Sequence, residues 1–180
     1  DKEPKVVAFA QCAGSRDENH LPYCSAVCCS ASIKQAAYIR ETLPEAEIHI
    51  FYIDIRTPGR LEDIYTKALD DEKLHFHRGK VAKITEKPDS KNVVVEAENT
   101  LTGEKTSMEV DLVVLATGMV PNTADAPPTA DAVKDDWGFL VDGESGVIGA
   151  GVSVRPLDVS TTVQDATGKA LQAICAQARE

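Results

Sequence analysis

The 180-residue chain contains no run of eighteen or more apolar residues, so no segment has the length and hydropathy of a membrane-spanning helix. The opening DKEPK has alternating charges and no apolar core, and it does not read as a secretory leader. A basic surplus is also missing. Against 19 Lys and Arg stand 29 Asp and Glu, a net charge of −10. That balance excludes a general binder of nucleic-acid backbones, which needs concentrated positive surface. The acidic excess is spread along the chain and serves solubility. Nowhere does Gly-x-Gly-x-x-Gly occur, the pattern that lets a strand–turn–helix bring its backbone against a dinucleotide pyrophosphate.

Thiols, by contrast, are concentrated. Of five cysteines, Cys12, Cys24, Cys28 and Cys29 fall within eighteen residues, in QCAGSRDENHLPYCSAVCCSASIKQA. Four thiolates are a complete ligand set for an iron–sulfur cluster, because iron in such clusters takes soft, electron-rich donors. The spacing C-x11-C-x3-C-C matches no common ferredoxin pattern and leaves other readings open. Tetrahedral zinc also takes four cysteines, but its structural sites usually present two short knuckles. A disulfide framework suits small secreted chains, whereas 43% hydrophobic composition can build a core here. Separately buried thiols are a further reading. So is a thiol–disulfide oxidoreductase whose Cys28 or Cys29 is activated at a helix start. Thiols clustered in this way fit a reducing cytoplasm.

The pattern of elements places this block. Val6–Ala10 reads as a buried strand leading straight to Cys12 and Gly14, followed by a polar loop over 15–22. A helix is expected from Ser25 to about Thr42, stopped by Pro44, and then a strand over 48–53, which completes a βαβ unit. Ligands of such units sit at the carboxyl end of the first strand, where Cys12 stands. Downstream, a short helix over 61–69 precedes strands over 74–84, 93–97, 107–110 and 112–116. Residues 99–104 read as a hairpin connection and 122–137 as a loop or irregular helix. Gly149-Ala150-Gly151 reads as a turn before a terminal helix over 160–178, with Val163, Ala166, Ala170, Leu171 and Ile174 on its apolar face. Cys175 reads as a buried thiol on that helix, and Arg16 and Lys34 as solvated charges beside the cysteines.

Taken together, C-A-G-S-R-D, Y-C-S-x-V-C-C-x-x-x-I-K-Q-A, F-Y-x-D-I-R-x-x-G and D-L-V-V-L-A-T-G-M-V-P resemble the A subunit of heterodisulfide reductase. S-V-R-P-L-D-V and Q-D-A-T-G-K-A-L-Q-A-I tilt the likeness toward the A subunit of the quinone-interacting membrane-bound oxidoreductase complex of sulfate reducers. The resemblance implies an α/β fold: an NAD(P)-binding-domain-like, thioredoxin reductase-like βαβ unit with added β-strands, plus a C-terminal segment of an FAD domain. Its boundaries are 1–118 for the iron–sulfur domain and 119–180 for the linker and returning FAD segment. It implies that Cys12, Cys24, Cys28 and Cys29 ligate a [4Fe–4S] cluster. Thr117, Gly118, Gly149, Ala150, Gly151, Asp158 and Val159 would face FAD. No residue is assigned a catalytic role, and His20 is not needed as a ligand.

The implied activity is electron transfer between flavin and cluster within an oxidoreductase subunit. The implied partners are the other redox subunits of a heterodisulfide reductase-like or quinone-interacting complex, at the inner face of a membrane only through such a partner. Since the family's first FAD motif is missing from these residues, the chain reads as the C-terminal portion of a longer flavoprotein, not active alone.

Overall fold

A computed structural model describes residues 3–126, 128–129, 132–142 and 146–178. Parts of the segment expected as loop, residues 127, 130 and 131, lie outside them, as do the first two residues of the opening DKEPK. The chain divides into two compact units, Asp1–Gly118 and Met119–Glu180.

The first unit is built on β1 (Val6–Ala10), which pairs in parallel with β2 (Glu47–Tyr52) on one edge and β7 (Leu112–Leu115) on the other. β2 in turn pairs in parallel with β3 (Leu74–Arg78), giving the order β3-β2-β1-β7. A strand paired on both edges and covered on both faces must be apolar throughout, and Val7, Ala8 and Phe9 are fully buried. Strand periodicity sends Val7 and Phe9 to one face, where they meet Ile48, Ile50 and Leu74 and the buried side of α1 (Cys28–Thr42), namely Ile33 and Ala36. α2 (Glu62–Leu69) adds Ile64 and Tyr65 to that face. Ala8 and Phe51 point the other way. They pack on Val95, Ala97 and Val110 of an antiparallel meander made of β4 (Lys80–Glu86), β5 (Val93–Glu98) and β6 (Lys105–Val110).

Polar side chains fix the ends of these elements. Asp111 accepts from the amides of Lys5 (2.8 Å) and Val6 (3.0 Å), clamping the start of β1 beside β7. Arg40, in the last turn of α1, donates to Asp71 (2.9 Å) and to the carbonyls of Pro44 and Ala46, and so places a cation at the negative end of the helix.

Two sequence expectations are corrected here. The helix expected from Ser25 begins at Cys28, because Ala26 takes a left-handed backbone (φ 59°) that helical residues cannot share. The single strand expected over 74–84 is two strands in different sheets, parted at Gly79. A Cβ on Gly79 would lie 2.6 Å from the Glu98 carbonyl oxygen, so only glycine lets the chain pass from one sheet to the other.

In the second unit, Thr123 donates to the Gly138 carbonyl (2.7 Å) and Lys134 to that of Ala124 (2.8 Å), holding a short 3-10 turn over Asn122–Ala124. Phe139 and Leu140 are its buried apolar side chains. α3 (Val159–Gln177) is capped by Asp158 and buries none of its residues. Cys175 on it is exposed rather than buried, as are Val163, Leu171 and Ile174, because the described residues of this unit put nothing over that face.

Gly79→Ala is expected to cost about 1–3 kcal/mol, the usual scale for forcing atoms into a filled contact. Gly168→Ala, in α3 with open space around it, is expected to stabilise by up to about 1 kcal/mol. Denaturant melts of the two variants check this; equal stability of Gly79→Ala and the parent chain would remove the steric account.

Candidate metal centre

β1 delivers Cys12 at its carboxyl end, and the loop that follows is tied down on several sides. The Ala13 amide donates to the Ala116 carbonyl just beyond β7 (3.1 Å), and the Gln11 amide to that of Phe51 (3.0 Å). Ser15 Oγ donates to the Thr117 carbonyl (2.9 Å). Gly118 is wedged against the same loop: a Cβ there would sit 2.3 Å from Ser15 Oγ and 2.7 Å from Ser25 Oγ, and its φ is +98°. Thr117 and Gly118, expected to face flavin, are therefore in contact with the cysteine loop.

Cys12 (φ 55°), Arg16 (φ 55°) and Ala26 (φ 59°) are three of the four non-glycine residues with left-handed backbone among the described residues. Such conformations cost energy and persist where the surrounding structure holds a particular arrangement. Here they turn Cys12, Cys24, Cys28 and Cys29 toward one another, close enough for each charge to act on the others. Cys29 is buried and the other three are half-buried. No three of the sulfurs lie within 4.8 Å of one another.

Donor groups lie beside three of the sulfurs: the Ala26 amide donates to Cys24 (3.4 Å), and the Arg16 and Arg56 guanidiniums and the Arg56 amide are near enough to Cys12, Cys24 and Cys29 to act on their charge, while the Cys29 thiol itself donates to the Asp54 carbonyl (3.8 Å). Asp54 holds both arginines, accepting from Arg16 at 2.6 Å and from Arg56 at 3.2 Å through each of its oxygens. Burial works to raise the Asp54 carboxyl, but the bond from Arg56 and the charge of Arg16 outweigh it and keep the group below its usual range. Arg16, expected as a solvated charge, is instead fixed in this network, while Lys34 is exposed and lies over the Tyr38 ring. His20 is exposed beside Asp17.

Sequence reading passed over the roles of Asp54 and Arg56. Their D-x-R spacing just past β2 was the available signal, since that end of the sheet is where ligands sit. Gln11 was missed too. It is buried beside Cys12, and both its amide nitrogen and its oxygen lack a protein partner, at the wall of a hollow of about 690 Å³ that Cys12 and Gly14 also line.

Burial pushes the Cys12 thiol up, partly offset by Arg16. Burial and the neighbouring sulfurs push Cys28 up. Burial also raises Cys29, against the bond from the Arg56 amide. A nucleophilic thiol needs the opposite shift. The setting does not supply the lowered thiol that attack on a disulfide needs. The donor set, the orphaned Gln11 amide and the two guanidiniums fit a bound anionic cluster.

The residues expected at flavin in the second unit are internally satisfied. The Gly151 amide donates to Asp165 (2.7 Å) and that of Ala150 to Ser153 (3.2 Å); both carboxylate oxygens of Asp158 accept from Thr161. Side chains of Leu140 and Val154 fill the space beside Gly149, and Thr162 that beside Gly151. Val159, at the start of α3, is 82% exposed.

A family profile, pyridine nucleotide-disulphide oxidoreductase, matches residues 29–152. An A-type iron-sulfur subunit of the CoB–CoM heterodisulfide reductase of Methanopyrus kandleri is 38% identical over 98% of this chain and 29% of its own length. The A subunit of the H(2):CoB-CoM heterodisulfide,ferredoxin reductase of Methanothermobacter thermautotrophicus is 37% identical over 96% of this chain and 28% of its own. The resemblance read from the motifs is thus borne out, and the chain spans less than a third of these relatives. Among solved structures, Lactococcus lactis thioredoxin reductase aligns with a TM-score of 0.59 at 19% identity, over 96% of this chain and 52% of that one. Thioredoxin reductase from T. acidophilum aligns at 0.56 and 18%, over 98% and 53%. These likenesses bear out the α/β, thioredoxin reductase-like fold.

Raised thiols set an order of reactivity in the metal-free chain. At pH 8, iodoacetamide is expected to modify exposed Cys175 first. Cys12, Cys28 and Cys29 should react slowly until the pH passes about 9, the ordinary thiol value that burial raises them above. Peptide mass spectrometry across pH reads this out; Cys28 or Cys29 outrunning Cys175 near neutrality would restore the dithiol enzyme.

Proposed function

The chain belongs to the pyridine nucleotide-disulphide oxidoreductase family, and from that premise we propose that it is the electron-transfer portion of an FAD and iron–sulfur oxidoreductase subunit. Cys12, Cys24, Cys28 and Cys29 hold a [4Fe–4S] cluster at the carboxyl end of β1, where a dinucleotide-binding relative would place phosphate. The observation that carries this reading is the gathering of four thiols beside the Arg16–Asp54–Arg56 network. Tetrahedral zinc, with bonds of about 2.3 Å, would draw its sulfurs to about 3.8 Å apart. The wider spread here suits a polynuclear cluster.

When bound, the cluster supplies one-electron redox chemistry, and the polypeptide sets its distance and potential. The Ala26 amide and the two guanidiniums stabilise negative charge on the sulfurs and so favour the reduced form. Gln11, buried next to Cys12, holds a further amide without a protein partner. Asp54 keeps the arginines oriented and limits how much positive charge reaches the sulfurs.

In this reading flavin is held by the longer protein. The residues proposed for flavin are Thr117 and Gly118 in the first unit and, in the second, Gly149, Ala150, Gly151, Asp158 and Val159, the last exposed at the start of α3. Because their polar groups are already paired, the chain alone is not expected to retain FAD. The full-length protein would pass electrons between flavin and cluster and on to redox partners in a heterodisulfide reductase-like or quinone-interacting complex. Membrane contact would come through such partners, since no described helix is long and apolar enough to cross a bilayer.

Anaerobic reconstitution is expected to load about four irons with acid-labile sulfide per chain. Ser in place of any of the four cysteines should lower iron, while Cys175→Ser should not. Unchanged iron in Cys24→Ser, or zinc without sulfide, would overturn the assignment. Arg56→Gln is expected to load iron but move the cluster potential to a more negative value in an EPR-monitored redox titration.

A further inference from the structure

At the other end of β2 from the cysteine block lies a second cluster of ligand-bearing side chains. Glu47 and His49 alternate onto the face of β2 that carries Phe51, and the parallel register sets His75 beside His49 and His77 beside Phe51. One carboxylate oxygen of Glu47 and one ring nitrogen each of His49 and His75 lie within 4.8 Å of one another. His49 Nε2 stands 4.0 Å from Glu47 Oε2, too far for a hydrogen bond, while its Nδ1 is 2.9 Å from His77 Nε2. The His49 and His75 rings stack with centroids 4.9 Å apart.

We propose that Glu47, His49 and His75 form a zinc site, with His77 as the hydrogen-bond partner that orients His49. Three ligands of imidazole and carboxylate type are what a borderline divalent ion takes, leaving one position for water. For zinc bonds of about 2.0–2.2 Å, half-buried His75 must turn out of its stack on His49 so that its lone pair aims at the same point, and the His49–Glu47 gap must close by roughly half an ångström. Glu47 is the ligand free to make that adjustment: its side chain is 55% exposed, against 10% for His49. With its proton on Nδ1, donated to His77, His49 turns the Nε2 lone pair toward Glu47, the arrangement in which metal-binding histidines are held by an outer partner. Since Glu47 is itself a ligand and the free nitrogen of His77 is used by His49, no base is left to activate the bound water. The ion ties the edge strand β3 to β2. The site shares no residue with the cysteine block, and about 17 Å of strand lies between Glu47 and Tyr52, two residues before Asp54.

Co²⁺ is the probe that separates the two sites, because thiolate ligands give it an intense near-ultraviolet charge-transfer band and nitrogen–oxygen ligands do not. Titration of the whole chain is expected to show one equivalent of Co²⁺ that develops visible ligand-field bands without that charge transfer and is displaced by Zn²⁺. His75→Gln and Glu47→Gln, at half-exposed and exposed positions, should each weaken this equivalent roughly tenfold or more while circular dichroism stays that of the parent. His77→Gln should weaken it by roughly 10–100-fold. The ring resonances of His75 and His77 should shift on adding Zn²⁺. Cobalt bound only with charge transfer, or with unchanged affinity in folded His75→Gln and Glu47→Gln, would overturn the site.

Discussion

The double burial of β1 organises the first unit. Five residues are sandwiched between helices on one face and the antiparallel meander on the other, with parallel neighbours on both edges. Water is excluded from every side, so the strand is apolar and cannot slip by a residue without reversing which side chains meet which layer. That fixity is what makes its carboxyl end a dependable mount. Cys12 emerges from it between Gln11 and Ala13, whose backbone amides are anchored to β2 and to the residue after β7.

Much of this architecture could be read from the amino acids, because buried parallel strands are short aliphatic runs and the cysteine block sits immediately after one of them. What escaped reading depends on backbone geometry that residue types do not announce. Ala26 resembles a helix former, yet it is left-handed and delays α1 until Cys28. Gly79 lies inside what looks like one strand, and only the approach of Glu98 shows why the chain changes sheets there. Cys175 reads as buried because free thiols commonly are, but residue type says nothing of whether anything covers that face of α3. Arg16 looked like a surface cation until Asp54, 38 residues away, supplied its counter-charge.

Two kinds of donor set lie toward opposite ends of β2. At the carboxyl end, soft thiols are surrounded by cations and amides, which suits an electron-rich cluster. On the meander-facing side near the amino end of β2, imidazoles and a carboxylate gather with no sulfur among them. The alternation of a β-strand permits this, because Asp54 and Arg56 follow the strand into the cysteine site while Glu47 and His49 occupy an earlier stretch of it.

The bond from Ser15 to Thr117 spans 102 residues, and Gly118 packs beside it. All four thiols of the block precede position 30, yet the loop that carries them is completed only when the segment after β7 docks. During synthesis the ligands would therefore exist for a long interval as an open, unshaped loop, exposed to metals and oxidants. Closure by a distant segment makes the shaped block a late product of folding, timed by the growth of the chain rather than by the appearance of its thiols.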